Sequence, residues 1–242
     1  MITLDTYETE FGHIQIAKRR RTGAVLYEQD GCFQSEADSQ GVSLASYIHA
    51  IFGLIQQSGA RNILLIGCGG GTLATMLVRS GQNATVVDVN PASFVIAKIH
   101  FLMPDDVCCR VGDGKEFLRN NGKIFDAIVV DAYQGGLIPD HLQSVQFFNL
   151  VRDHLSLRGV LFINAHLGHA FDRRAKQIAD RASQVFSKVR LLDSRGILER
   201  NAIIMAGHVD HLDPPQILLQ PETGQAEIAS ELASLEFRRW DL

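Results

Sequence analysis

The chain has 242 residues, 46% of them hydrophobic, with a formal net charge of -4 at pH 7. That is enough for one large domain with a buried core and at most small appendages. The negative balance argues against a general nucleic-acid binder. No stretch is apolar enough to span a bilayer and no basic-plus-apolar leader opens the chain, so a cytoplasmic protein without membrane attachment is expected.

Residues 7–34 read as short strands: 13–17 alternate in polarity and Ala24-Val25-Leu26-Tyr27 follow. Between them, Lys18-Arg19-Arg20-Arg21 precede Thr22-Gly23, so the one basic cluster reads as a solvated hairpin turn. Residues 1–42 are expected to form a small N-terminal β extension. From 43 to 57, Leu44, Tyr47, Ile48, Ile51, Phe52 and Ile55 recur at helical spacing. Strands and helices then alternate. The strands are expected at 62–66, 84–88, 107–111, 126–131, 159–164, 188–193 and 201–206. The helices are expected at 72–80, 91–102, 114–121, 144–155 and 170–186. Such alternation builds a mostly parallel sheet with helices on both faces, here over 43–207. Residues 208–225, rich in Pro, His, Asp and Gln, begin a C-terminal extension (208–242), with a short helix expected at 226–237. Cys32, Cys68, Cys108 and Cys109 show no CxxC spacing and read as free thiols of a reducing compartment.

The chemistry gathers at strand ends. The apolar run before Gly67-Cys68-Gly69-Gly70-Gly71-Thr72 is followed by a helical pattern, the arrangement that offers backbone N–H groups to a nucleotide. Asp88 ends the next strand, about twenty residues after the first glycine, where an acid can accept from both ribose hydroxyls. Asp113-Gly114 follows the third strand and Asp131 the fourth. One such Asp alone reads best as a helix cap; three in register beside a glycine loop read as one nucleotide crevice. Thr72 stands where a dinucleotide fingerprint has its third glycine, which disfavours a dehydrogenase. Asp113 suits the amino group of adenine.

These residues resemble the spermidine synthase family of adenosyl-dependent transferases. The resemblance runs from Glu8 to Gly207 through Asp30-Gly31-Cys32-Phe33-Gln34-Ser35, the glycine loop, Asp88-Val89-Asn90-Pro91, Val111-Gly112-Asp113-Gly114 and Phe125-Asp126 to Asp131. Asp131-Ala132-Tyr133, Ile138-Pro139-Asp140-His141-Leu142 and Phe147-Phe148 resemble its spermidine-synthase-like branch.

The resemblance implies an α/β fold of the class I methyltransferase type, Rossmann-like, with seven strands, the last antiparallel. It implies that Gly67, Gly69, Gly71, Gly114, Asp88 and Asp113 hold the nucleoside with Gln34 nearby, and that Asp131 is the acceptor-orienting base. It also implies a homodimer. His49, Tyr133 and Gln134 are candidates to line the acceptor site. His166 and His169 have neither the spacing nor the acidic neighbours of a metal site.

Two departures bear on the donor. True synthases carry an acid at the position of Gly70 and a second at that of Gln134. Losing both favours S-adenosylmethionine over its decarboxylated form, because unpaired ammonium groups are costly to desolvate. The expected function is therefore methyl transfer to an amine-type small molecule. Aminopropyl transfer from decarboxylated S-adenosylmethionine is the alternative, and a non-catalytic adenosyl-nucleotide-binding protein the second.

Overall fold

The computed structural model describes residues 1–194 and 198–240. Four strands open the chain: β1 (Ile2–Thr9), β2 (Gly12–Lys18), β3 (Val25–Gln29) and β4 (Cys32–Ala37), paired antiparallel in that order. The main body follows with α1 (Ser46–Ser58), β5 (Asn62–Ile66), α2 (Thr72–Arg79), β6 (Asn83–Asp88), α3 (Pro91–Phe101), β7 (Cys108–Val111), α4 (Gly114–Arg119) and β8 (Phe125–Val130). A 3-10 turn at Asp140–Gln143 leads to α5 (Val145–Asp153), β9 (Leu155–Leu167), α6 (Arg174–Ala182), β10 (Val189–Ser194), β11 (Arg200–Gly207), α7 (Gln225–Ala233) and β12 (Leu235–Arg238).

The main sheet has the order β12-β10-β11-β9-β8-β5-β6-β7. From β7 to β9 every pairing is parallel, whereas β11 runs antiparallel to both β9 and β10. This is the expected class I methyltransferase-type α/β sheet with its antiparallel last strand. Ile63 and Leu65 of β5 face one apolar layer, with Ile51 and Leu54 of α1 and Leu73 and Leu77 of α2. Leu64 and Ile66 face the other, with Leu118, Phe147, Phe148 and Ile178 of α4, α5 and α6. The period-2 side-chain alternation of a strand buried on both faces accounts for this split. Strand β5 pairs with β6 on one side and β8 on the other. The connections leave the sheet in opposite directions there, which opens a crevice at the carboxyl ends of these strands.

Two elements differ from expectation. The helix expected at 226–237 ends at Ala233, and residues 235–238 form β12, an eighth strand antiparallel to β10. A four-residue strand is too short to display a period. Helix α6 covers only Arg174–Ala182; Asp172 Oδ1 accepts from the Arg174 N–H (3.0 Å) and marks its start. The N-terminal sheet packs through Ile14, Ile16, Val25 and Tyr27 on Ile96 and Phe101 of α3, which brings β4 to the rim of the crevice. Among the described residues, no helix is long and apolar enough to cross a membrane.

Candidate active site

The glycine loop is held by what surrounds it. At Gly67 (φ +102°) a Cβ would stand 2.2 Å from the Asp131 carbonyl oxygen, so only glycine lets the ends of β5 and β8 approach this closely. The Gly67 N–H bonds the Val87 carbonyl and the Asp131 N–H the Ile66 carbonyl, both at 2.9 Å, which extends the parallel ladder to the site's floor. Ser35 of β4 accepts from the Gly70 N–H at 2.9 Å, so the N-terminal sheet lies over the loop. Gln34 is half-buried next to Ser35 in β4, and a Cβ at Gly69 would meet Ser35 Oγ at 2.8 Å.

Asp88 ends β6 with Oδ2 accepting from the Cys68 N–H (2.7 Å) and Oδ1 from the Asn90 N–H (2.8 Å). Burial raises its carboxyl above the ordinary 3.8 in spite of these bonds. Each oxygen keeps one lone pair, enough for two hydroxyl donors. The Cys68 thiol is pushed well up by burial. Asp113 caps α4, its Oδ1 accepting from the N–H groups of Lys115 (2.9 Å) and Glu116 (3.0 Å). Gly114 is buried against Ile66, where a Cβ would come within 2.5 Å of the isoleucine's Cγ2.

Asp131 sits beyond the end of β8, deep but still partly open to the crevice. Asn164 of β9 donates its Nδ2 to Oδ1 at 2.8 Å, and Tyr47 of α1 donates its hydroxyl to Oδ2 at 3.3 Å. Burial raises the Asp131 carboxyl, and the two bonds only partly offset this. Burial and the neighbouring Asp131 charge hold the Tyr47 hydroxyl well above the usual phenol range, so it remains a donor. Asn164 is 2% exposed, and among the described residues its Oδ1 has no hydrogen-bond partner. The cluster offers a base of raised affinity for protons beside an idle acceptor oxygen.

Neither Tyr47 nor Asn164 is among the candidates read from the sequence. Tyr47 hides in the apolar stripe of α1, while Asn164 is the one polar residue in the run from Val160 to Ala165 and is the readable signal. His49, the acceptor-site candidate on α1, does not join this cluster. His49 is 0% exposed, its Nε2 is 2.7 Å from the Ser43 carbonyl, and burial lowers its pKa. Residues two apart on a helix point roughly 200° apart, so α1 cannot aim both Tyr47 and His49 at Asp131.

Tyr133 serves as a staple: its hydroxyl donates to the Asn164 carbonyl (2.7 Å) and accepts from the His166 N–H (2.9 Å). Gln134 is exposed in a tight turn closed by its own backbone pairing with Leu137. Gly70 is buried, and a Cβ there would meet the Phe101 ring at 2.9 Å. A side chain at position 70 would therefore start against the Phe101 ring, under the N-terminal sheet. No group of three or more metal-ligating side chains occurs among the described residues.

Comparison with known proteins agrees with this architecture. The spermine/spermidine synthase domain model matches residues 46–193, more than half the chain. A probable polyamine aminopropyl transferase of Bifidobacterium longum is 34% identical over 110 residues, 45% of this chain and 25% of that protein. The polyamine aminopropyltransferase of Chromobacterium violaceum is 31% identical over 172 residues, 66% of this chain and 62% of its own. The chain thus spans less than two thirds of the length of either relative. Among solved structures, a probable spermidine synthase from Corynebacterium glutamicum superposes with a TM-score of 0.79, covering 97% of this chain and 90% of that one at 21% identity, which shows a shared fold.

Proposed function

The chain belongs to the spermine/spermidine synthase family, and from that premise we propose that it transfers an aminopropyl group from decarboxylated S-adenosylmethionine to an amine. The observation that carries this reading over methyl transfer, which the sequence alone ranked first, is the match to relatives named polyamine aminopropyltransferases. The two departures that pointed to methyl transfer lose their force, because Gly70 faces Phe101 and Gln134 is exposed in its turn.

In this reading Asp88 accepts from the ribose hydroxyls, Asp113 takes the adenine amino group, and the backbone of Gly67, Gly69, Gly71 and Gly114 leaves room for the nucleoside. Gln34 and Ser35 cover it from β4. The sulfonium and the donor's terminal ammonium favour a crevice whose carboxylates are Asp88 and Asp131. The acceptor nitrogen's lone pair attacks the propyl carbon bonded to sulfur. The C–S electron pair returns to sulfur, leaving a neutral thioether, and Asp131 removes the proton shed by the nitrogen. Tyr47 and Asn164 hold the Asp131 carboxylate, so the nitrogen meets a positioned base.

Calorimetry with the two donors tests the assignment. The carboxylate of S-adenosylmethionine adds a like charge to an anionic crevice, worth about 4 kcal/mol at 4 Å and an effective dielectric of 20 before screening. Tighter binding of the decarboxylated donor is expected. Equal or tighter binding of the carboxylated donor overturns the assignment in favour of methyl transfer.

A further inference from the structure

His141 lies in the 3-10 turn that precedes α5 and takes no part in the chemistry at Asp131. Its Nε2 stands 2.6 Å from Asp113 Oδ2, the oxygen left over once Oδ1 has capped α4. Burial alone would raise the Asp113 carboxyl, but hydrogen bonds from Glu116, His141 and Lys115 outweigh it and hold the group below its ordinary value. Asp113 is therefore a carboxylate, and the proton of the contact sits on Nε2. The two side chains are 45% and 30% exposed. A contact this open to water contributes at most about 1 kcal/mol, so a ligand can exchange it at little cost.

The pair presents an acceptor oxygen and an N–H donor side by side. Its complement is a planar edge with a donor next to an acceptor. Adenine has that edge in its 6-amino group and N1, whereas a 6-oxo purine presents the reverse, an oxygen next to an N1–H. We propose that His141 and Asp113 together read the base of the donor nucleoside, Asp113 Oδ2 accepting from the 6-amino group and His141 Nε2–H donating to N1. This rests on the adenosyl reading of the crevice. When the base enters, one hydrogen bond between His141 and Asp113 is replaced by two to the base. A 6-oxo purine would set its oxygen against the carboxylate and its N1–H against the imidazole N–H, leaving all four groups unsatisfied.

The test is calorimetry of the full chain with 5′-methylthioadenosine and its 6-oxo counterpart 5′-methylthioinosine, on the parent, His141→Ala and His141→Gln. The parent should prefer the adenine compound by at least about tenfold, as expected of a site built to hydrogen-bond one edge. His141→Ala should lose about tenfold in affinity for that compound and little for the inosine compound, narrowing the preference. His141→Gln, which restores an N–H donor, should recover most of both. Loss of structure alone would lower both affinities in parallel and would not be mended by glutamine. If His141→Ala keeps the parent's affinity and preference, the pair is only a surface contact and the proposal falls while the adenosyl site stands. If the parent binds neither compound, the adenosyl reading falls with it.

Discussion

Asp131 carries its charge where burial disfavours it, and that tension is measurable. An Asp whose folded pKa is raised costs the folded state stability at every pH above that value. The cost shrinks as pH falls toward the ordinary 3.8 and is gone below it, where both states are protonated. Asp131→Asn should therefore melt at a higher temperature than the parent at neutral pH, with the gain fading as the pH falls toward 3.8. The same variant should lose about 100-fold or more in turnover while binding the donor nucleoside nearly as well. A variant with weakened nucleoside binding and an unchanged maximal rate would remove Asp131 from the chemistry. Gly70 makes the contrasting case. Gly70→Asp must displace Phe101, which is 1% exposed, and is expected to cost roughly 1–3 kcal/mol in urea unfolding. A reversal of donor preference without loss of stability would restore position 70 to the donor site. The acids at the ends of β6 and β8 were legible because each interrupts an apolar run at a strand terminus, and Asp113 because it stands between two glycines ahead of a helical stretch. Tyr47 was not, since only packing brings it to Asp131, and Asn164, readable as the lone polar residue of its run, gains its partner only because β9 lies beside β8. The His141 contact spans 28 positions and no local pattern announces it.

At the scale of elements, the far edge of the main sheet is held by charge. Asp193 of β10, 3% exposed, accepts from Arg200 Nε on β11 (2.7 Å) and from Arg238 Nη1 on β12 (2.9 Å). Arg190 adds a guanidinium 3.5 Å from the centre of the Phe237 ring. Removing one partner from a buried pair leaves the other charge uncompensated. Asp193→Ala is expected to lower unfolding stability by about 3–5 kcal/mol. An unchanged denaturation midpoint would show that the edge is held by apolar packing alone. The parallel core from β5 to β9 was readable because β5 and β8 are continuous apolar runs bounded by Gly67 and Asp131. The four-stranded N-terminal sheet was readable only in part: β1 is exposed along almost its whole length and offers no alternating face. Strand β12 was read as helix because its register depends on Asp193, a partner 45 positions away.

At the scale of the molecule, the C-terminal segment closes on the helix that carries Tyr47. The Gln57 side chain at the end of α1 exchanges two hydrogen bonds with the Asp213 backbone, at 2.8 and 3.1 Å. The Glu222 N–H bonds Asp38 at 2.8 Å, and Ser46 at the start of α1 bonds Glu231 of α7. Pro215 packs on Gly53, where a Cβ would approach it to 3.2 Å. The N-terminal sheet, meanwhile, roofs the glycine loop through Ser35. The crevice is thus a joint product of segments distant in sequence, which is why motifs located it while its acceptor end could not be read from them. Aminopropyl transfer at Asp131 is tested by offering the protein both donors at equal concentration with a diamine and identifying the nucleoside released by mass spectrometry. The account predicts 5′-methylthioadenosine, together with an amine heavier by one aminopropyl group. Release of S-adenosylhomocysteine with a methylated amine, or binding of both donors with no product from either, would contradict it.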